Sequence, residues 1–281
     1  MSPTPTHRIL FKPIENSETG GCHIDIYLPA EPKGAPIAWM IHGGGFTIGG
    51  SYHIPVDQVE WFLEHGIAVV SNEYRLLPHA SLTDIREDNL DAYKWILNNL
   101  NTETRSELDT SKIAILGWSA GGTSLLAMRE SLTDEEWKAI EPIYKEPVST
   151  GYKHGITWYK DDPSPRANWM KAVMHSGTMH SAWMQHDPPY PAENSPINLL
   201  ASYYPSTFVV VATADWLIPP AESHSVVEKL KSCGVEATFA EAQGMGHGVC
   251  EDARSSWPED QKWWEEAISP SLEWTERKLR A

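Results

Sequence analysis

Basic residues are scarce in this sequence. Among its 281 residues there are 22 Lys and Arg against 38 Asp and Glu, which gives a net charge of −16. A nucleic-acid backbone or an anionic lipid surface is bound through a basic surface, so this balance argues against both kinds of partner. Long apolar runs are also missing, and none approaches the roughly 18 residues that a membrane-spanning helix needs. We therefore predict a soluble, cytoplasmic protein.

Cysteine is the next scarce residue. Cys22, Cys233 and Cys250 are too few and too scattered to form a disulfide framework or a zinc site. We expect reduced thiols and no metal centre. No internal repeat and no linker-like stretch divides the chain, which predicts a single domain over residues 1–281.

Short apolar segments alternate with helical patterns, which predicts βαβ units around a mostly parallel sheet flanked by helices. The predicted strands are residues 7–11, 23–28, 36–41, 67–71, 112–116, 172–175, 207–212 and 236–240. Helical spacing marks residues 85–100, with Asp84 as N-cap and Glu87 as its capping-box partner. Helices are also predicted at 221–231 and in the Trp-rich C-terminal tail.

Residues 130–205 depart from this alternation. They are rich in Trp, Met and Pro, and only one core strand, near 170–176, is predicted among them. Such an excursion predicts a cap inserted over the open end of the sheet. Its apolar, deformable side chains suit an apolar substrate. A self-packed subdomain that makes no contact with substrate is the alternative.

The sequence Gly117-Trp-Ser-Ala-Gly-Gly122 has the G-x-S-x-G pattern and stands between a predicted strand and a predicted helix. A sharp strand-to-helix turn lifts a serine hydroxyl out of the sheet, and small neighbours let the turn close. The N-terminus of the following helix favours negative charge at that position. Ser119 is therefore the candidate nucleophile.

A second glycine-rich motif, His42-Gly-Gly-Gly-Phe46, also follows a predicted strand. Acyl transfer passes through a tetrahedral oxyanion, which requires prearranged hydrogen-bond donors. Glycines let a backbone approach closely, so the amides of Gly44, Gly45 and Ala120 are the candidate oxyanion hole. A flexible glycine turn is the structural alternative.

A nucleophilic serine needs a base, and the base needs an orienting carboxylate. His247 lies in a loop after the last predicted strand, and Asp215 follows the strand before it. The chain order Ser119, Asp215, His247 is that of α/β-hydrolases. Asp187, Glu251 and Asp252 are alternative acids, but none of them follows a predicted strand.

As a set, these motifs resemble the α/β-hydrolase superfamily and, within it, the esterases and lipases similar to hormone-sensitive lipase. Glu73-Tyr-Arg-Leu-Leu-Pro78 and the helix after it add to the resemblance, which covers roughly residues 35–130 and 195–250. The resemblance implies an α/β-hydrolase fold and an ion pair between Arg75 and an acid such as Asp88.

We predict a serine hydrolase that cleaves a carboxylic ester through an acyl-enzyme, without a cofactor, on a small apolar or aromatic ester-type substrate. The candidate substrate-binding residues are Phe46, Trp118, Met179, Trp183, Trp216 and Leu217. Trp118 could equally pack under the sheet. A homodimer contact through the C-terminal tail is an alternative to its packing on the sheet.

Three other functions stay open at this point. The same machinery could hydrolyse or cyclise a thioester or lactone and so release a polyketide-type intermediate. It could also act on an amide or peptide. A ligand receptor on a catalytically inactive hydrolase fold is the third, although such a receptor typically lacks one member of the Ser-His-Asp set.

Overall fold

Most of the predicted strands form in the computed structural model, which describes residues 4–122, 170, 197, 200–248 and 258–281. Five strands form one sheet: β1 (His7–Pro13), β2 (Gly21–Tyr27), β3 (Ile37–Ile41), β4 (Ala68–Asn72) and β5 (Ile113–Gly117). Two more, β6 (Thr207–Ala212) and β7 (Ala237–Ala242), pair with each other. Strand β3 is a five-residue apolar run, and all five residues of β4 are buried, which is typical of strands covered on both faces.

The larger sheet has the strand order β1-β2-β4-β3-β5. Strand β2 runs antiparallel to both β1 and β4, whereas β4, β3 and β5 are parallel. Strands β6 and β7 are also parallel. Parallel strands end at the same edge, so the segments that follow β3 and β5 leave the larger sheet side by side.

Helices cover both faces of the larger sheet. The described helices are α1 (Val56–Glu64), α2 (Leu82–Asn98), α3 (Leu100–Thr104), α4 (Pro220–Ser232), α5 (Pro258–Trp263) and α6 (Ser269–Arg280), the last two joined by a π-helical turn, Trp264–Ile268. Helix α4 packs on β6 and β7. Helix α2 buries Ala92 and Ile96 on one face. Phe62 of α1 and Leu272 of α6 lie in the cluster on the other face. Helix α6 also contacts β6 and β7, so it joins the two sheets.

Helix α2 begins earlier than the sequence predicts. Its N-cap is Ser81, whose hydroxyl accepts a hydrogen bond from the Asp84 backbone N–H, while the Asp84 carboxylate accepts one from the Ser81 N–H. Asp84 is therefore the third helical residue and not the cap. The prediction was wrong because aspartate at this position satisfies the same reciprocal pattern as glutamate, and it moves the helix start by one turn.

A buried ion pair lies between the loop after β4 and helix α2. The Arg75 side chain donates to both carboxylate oxygens of Asp88 at 2.8 Å, and its backbone N–H donates to Oδ2 at 2.9 Å. Lys12 adds a contact to Asp88 at 2.6 Å. This is the pairing that the family resemblance implies, and it ties the loop to the helix.

The predicted cap at 130–205 falls almost entirely outside the described residues, as do its predicted core strand near 170–176 and the helix predicted to follow Gly122. Met170 is described, and its buried side chain lies against Gly45.

Candidate active site

Ser119 lies on a sharp turn directly after β5. Its φ angle is +49°, in the left-handed region that a serine rarely adopts, and a single 3-10 turn, Ser119–Gly122, follows. A Cβ atom on Gly121 would overlap the carbonyl oxygen of Ile41 and lie 2.7 Å from that of His42. One on Gly117 would overlap the carbonyl oxygen of Gly121. The turn is thus pressed against the end of β3, and it holds Ser119 at the carboxyl edge of the sheet.

This close approach predicts that Gly121→Ala strongly lowers both stability and activity. Because the obstacle is backbone, which cannot rotate away, we expect about 3 kcal/mol of lost stability and at least a roughly 10²-fold lower kcat from a displaced serine. Gly234→Ala is the control. Gly234 has a φ of +80° and open space around its Cα, so a loss of about 1 kcal/mol in stability is expected there. Urea unfolding of both variants measures the two losses in stability. An equal loss in Gly121→Ala and Gly234→Ala would contradict the prediction.

Ser119, His247 and Asp215 form a continuous hydrogen-bonded chain. Ser119 Oγ lies 2.9 Å from His247 Nε2, and His247 Nδ1 lies 2.9 Å from Asp215 Oδ2. A carboxylate can only accept, so Nδ1 carries the proton and Nε2 is left to accept from the serine hydroxyl. The structure therefore brings together the three residues that the sequence selected from the ends of β5, β6 and β7.

Asp215 is held by its own loop as well as by the histidine. Its Oδ1 atom accepts from the backbone N–H groups of Leu217 and Ile218, both at 2.8 Å. Burial opposes ionisation of the carboxyl group, but the hydrogen bonds from His247, Ile218 and Leu217 outweigh it and hold the pKa of Asp215 below its usual value. The carboxylate is therefore charged at neutral pH, and both of its oxygens have partners.

The glycine-rich loop after β3 lies beside this turn. Gly44, Gly45 and Phe46 have φ angles of +102°, +59° and +60°, and the Gly44 carbonyl accepts from the N–H groups of Thr47 and Ile48. Gly121 abuts the backbone of His42, so the loop and Ala120 are neighbours. The three residues predicted to supply oxyanion donors thus belong to two adjoining turns.

His42 supports that loop, a role that the sequence did not reveal. Its ring stacks on Tyr74 with centroids 4.1 Å apart, and Nδ1 donates to the Gly43 carbonyl at 2.7 Å. The Tyr74 hydroxyl donates to the His42 carbonyl at 2.9 Å. Burial lowers the pKa of His42 to about 3, against the smaller opposing effect of the bond to Gly43. The imidazole is therefore neutral at neutral pH.

His42 makes the stability of the protein sensitive to acid. The unfolded chain takes up a proton at His42 near pH 6.5, whereas the folded chain does so only near pH 3. The contribution of the neutral, buried His42 to stability is therefore fully present above pH 6.5, and it is lost progressively as the pH falls toward 3. We expect His42→Gln to reduce the slope of unfolding free energy against pH by about 1.4 kcal/mol per unit between pH 6 and 4. Urea titrations across that range measure the slope, and an unchanged slope would contradict the expectation.

The predicted substrate-binding residues occupy different environments. Phe46 is buried and tilted against Tyr74, with centroids 6.3 Å apart. Trp118 packs against the core cluster that contains Met40 and Phe62, which favours packing under the sheet over lining a pocket. Trp216 is exposed beside His247, and Leu217 is half-buried. Met179 and Trp183 lie outside the described residues.

A family model described as the alpha/beta hydrolase fold matches residues 39–251, more than half of the sequence. The chain belongs to the alpha/beta hydrolase fold family. The resemblance and the fold class predicted from the sequence are thereby confirmed. The matched stretch of this alpha/beta hydrolase includes the loop at Gly44, the turn at Ser119, and both Asp215 and His247.

A solved structure has a similar fold. Thermogutta terrifontis esterase 2, in a structure phosphoramylated by tabun, has a TM-score of 0.64 and 18% identity, with 99% of this chain and 95% of that one covered. An identity this low shows the fold alone.

Two curated relatives are fungal synthases. A non-reducing polyketide synthase from Preussia isomera, Preu6, is 26% identical over 322 residues, which cover 93% of this chain. 5-methylorsellinic acid synthase from Aspergillus terreus is 40% identical over 108 residues, which cover 35% of it. This alpha/beta hydrolase chain spans only 14% and 4% of the length of these two relatives.

In the part of the chain that the structure describes, no three His, Cys, Asp or Glu side chains converge as metal ligands would. Among the described helices, none is long and apolar enough to cross a membrane.

Proposed function

We propose that this chain is a serine hydrolase that cleaves a carboxylic ester through an acyl-enzyme. The observation that carries the proposal is the chain of two 2.9 Å contacts from Ser119 through His247 to Asp215. This arrangement supplies a nucleophile, a base and an orienting carboxylate in hydrogen-bonding reach of one another. Membership of the alpha/beta hydrolase fold family supports the same reaction class.

In the first half-reaction, Ser119 Oγ attacks the acyl carbon while its proton passes to His247 Nε2. The imidazolium that forms is stabilised by Asp215, which stays ionised. His247 then gives the proton to the leaving oxygen as the carbon–oxygen bond breaks, and the acyl group stays on Ser119. In the second half-reaction His247 takes a proton from water as the water oxygen attacks the acyl carbon. The bond from that carbon to Ser119 Oγ then breaks, the acid leaves, and His247 returns the proton to the serine.

The negative charge that develops on the acyl oxygen needs donors. We assign this role to the backbone N–H groups of Gly44, Gly45 and Ala120, which belong to the two turns that meet at the end of β3. The supporting observation is that Gly121, next to Ala120, abuts the backbone of His42. A single donor of this kind is worth about 10²–10³ in kcat.

Two measurements test the proposal. A fluorophosphonate probe should label the protein once, and peptide mass spectrometry should place the adduct on Ser119. p-Nitrophenyl esters from acetate to decanoate should then show a preferred chain length. That length reports the depth of the pocket that holds the proposed small apolar or aromatic substrate. A protein that neither reacts with the probe nor hydrolyses any ester would overturn the proposal.

A thioester is the second candidate substrate, and the observation that favours it is the similarity of 93% of the chain to part of a polyketide synthase. The same residues would attack a thioester carbonyl, with a thiolate leaving in place of an alkoxide. Hydrolysis of a benzoyl N-acetylcysteamine thioester, compared with ethyl benzoate, separates the two candidates. A thioester-to-ester ratio of kcat/KM far above the same ratio of the uncatalysed rates would identify a thioesterase.

The homodimer and the cytoplasmic location stay predictions.

A further inference from the structure

Trp216 is carried on a loop whose backbone is held on both sides. The preceding residue, Asp215, accepts hydrogen bonds at 2.8 Å from the N–H groups of Leu217 and Ile218, which follow Trp216. Before it, the Ala214 N–H donates to the Met245 carbonyl at 2.9 Å. The position of the Trp216 backbone is therefore set by the same contacts that place the acid and the base.

The Trp216 side chain projects into solvent at the site. It is 59% exposed, and its ring centroid lies 6.3 Å from that of His247, with the two planes at 70°. An indole contributes most when it is covered by an apolar or aromatic partner, and aromatic residues are common anchors in binding sites. A large aromatic surface carried by a hydrogen-bonded loop next to the proposed base is well placed to contact substrate.

The proposed reaction determines which part of the substrate this surface would meet. His247 Nε2 must protonate the leaving oxygen, so the leaving group has to pass within hydrogen-bonding reach of the imidazole. The Trp216 ring lies edge-on to that imidazole. Its indole therefore adjoins the path that a leaving group takes past His247.

We propose that Trp216 determines specificity by stacking its indole on an aryl ring in the alcohol portion of the ester; this rests on the proposed function. A stacked or edge-to-face aromatic pair has a favourable interaction free energy beyond that expected from the apolar area it buries. The expected preference for an aryl over a saturated ring of similar size is about two- to tenfold in kcat/KM.

The experiment compares benzyl acetate with cyclohexylmethyl acetate, two primary-alcohol esters that differ in the π-system of the ring. The wild-type ratio of kcat/KM should favour benzyl acetate, Trp216→Leu should bring the ratio close to one, and Trp216→Phe should retain part of the preference. Methyl phenylacetate and methyl cyclohexylacetate carry the same two rings on the acyl side. Their ratio should not change in Trp216→Leu.

Phe239→Leu is the matched control. Phe239 is also an exposed aromatic residue, edge-on to a histidine, His224, at 4.7 Å, but it lies within β7 and not in a loop at the site. This variant should keep the wild-type preference. The proposal is overturned if Trp216→Leu slows both acetates equally, because Trp216 would then only position His247. It is also overturned if the acyl-side ratio changes instead.

Binding without turnover separates this proposal from the proposed function. Saturation-transfer NMR on Ser119→Ala should show tighter binding of benzyl acetate than of cyclohexylmethyl acetate, and Ser119→Ala/Trp216→Leu should lose the difference. A binding preference in a protein that hydrolyses no ester would overturn the hydrolase but keep the role of Trp216. Hydrolysis without any preference would do the reverse.

Discussion

Replacing Ser119 by alanine is expected to lower kcat by about 10⁶-fold on any ester that the protein hydrolyses. The substitution removes the only atom of the proposed chain that can form the acyl-enzyme, while His247 and Asp215 keep their mutual contact at 2.9 Å. Residual activity should come from the oxyanion donors and from binding alone. The rate of p-nitrophenol release from the preferred ester, compared between wild type and Ser119→Ala, measures the loss of kcat.

Ser225→Ala is the control for this prediction. The Ser225 hydroxyl donates to the Ala221 carbonyl on the exposed side of α4, so its removal changes a serine without touching the site. Wild-type kcat is expected there, together with unchanged fluorophosphonate labelling. Activity that survives in Ser119→Ala would mean that another residue is the nucleophile.

Asp215→Asn is expected to lower kcat by about 10⁴-fold. An asparagine oxygen can still accept from Leu217 and Ile218, so the loop should keep its shape. The amide nitrogen would then face His247 as a donor, which requires an unprotonated Nδ1 and leaves the proton on Nε2. The histidine would point a donor at Ser119 and could no longer take its proton.

Asp109→Asn provides the matched comparison. Asp109 also accepts from a backbone N–H two residues ahead, that of Ser111, and the Ser111 hydroxyl holds its pKa below the usual value. It lies in the turn before β5, outside the proposed chain, so wild-type kcat is expected. Equal activity of Asp215→Asn and wild type would exclude Asp215 as the orienting acid and point to another carboxylate.

Local signals in the sequence were enough to find the strands and the four loops that carry the site. Each chemical motif follows an apolar run, and the carboxyl ends of parallel strands share an edge. That rule selected His247 from 12 histidines and Asp215 from several acids. The chain of contacts from Ser119 through His247 to Asp215 is the geometric outcome of the same rule.

The residues that support the glycine-rich loop have no local signal in the sequence. His42 and Tyr74 are 32 positions apart, and neither the spacing nor the composition indicates that one ring stacks on the other. The start of α2 was misplaced for a related reason: Ser81, Asp84 and Glu87 offer overlapping capping patterns, and only the backbone geometry distinguishes them.

The fold family, the order of the strands along the chain and the proposed nucleophile, base and acid can all be predicted from local patterns, because they depend on where apolar runs end. The role of each aromatic side chain depends instead on which distant segments pack around it. Trp118 packs into the core and Trp216 stands in solvent beside His247. Both residues lie in loops that follow strands. Their different environments arise from distant segments, α1 and α6 for Trp118 and the loop after β7 for Trp216.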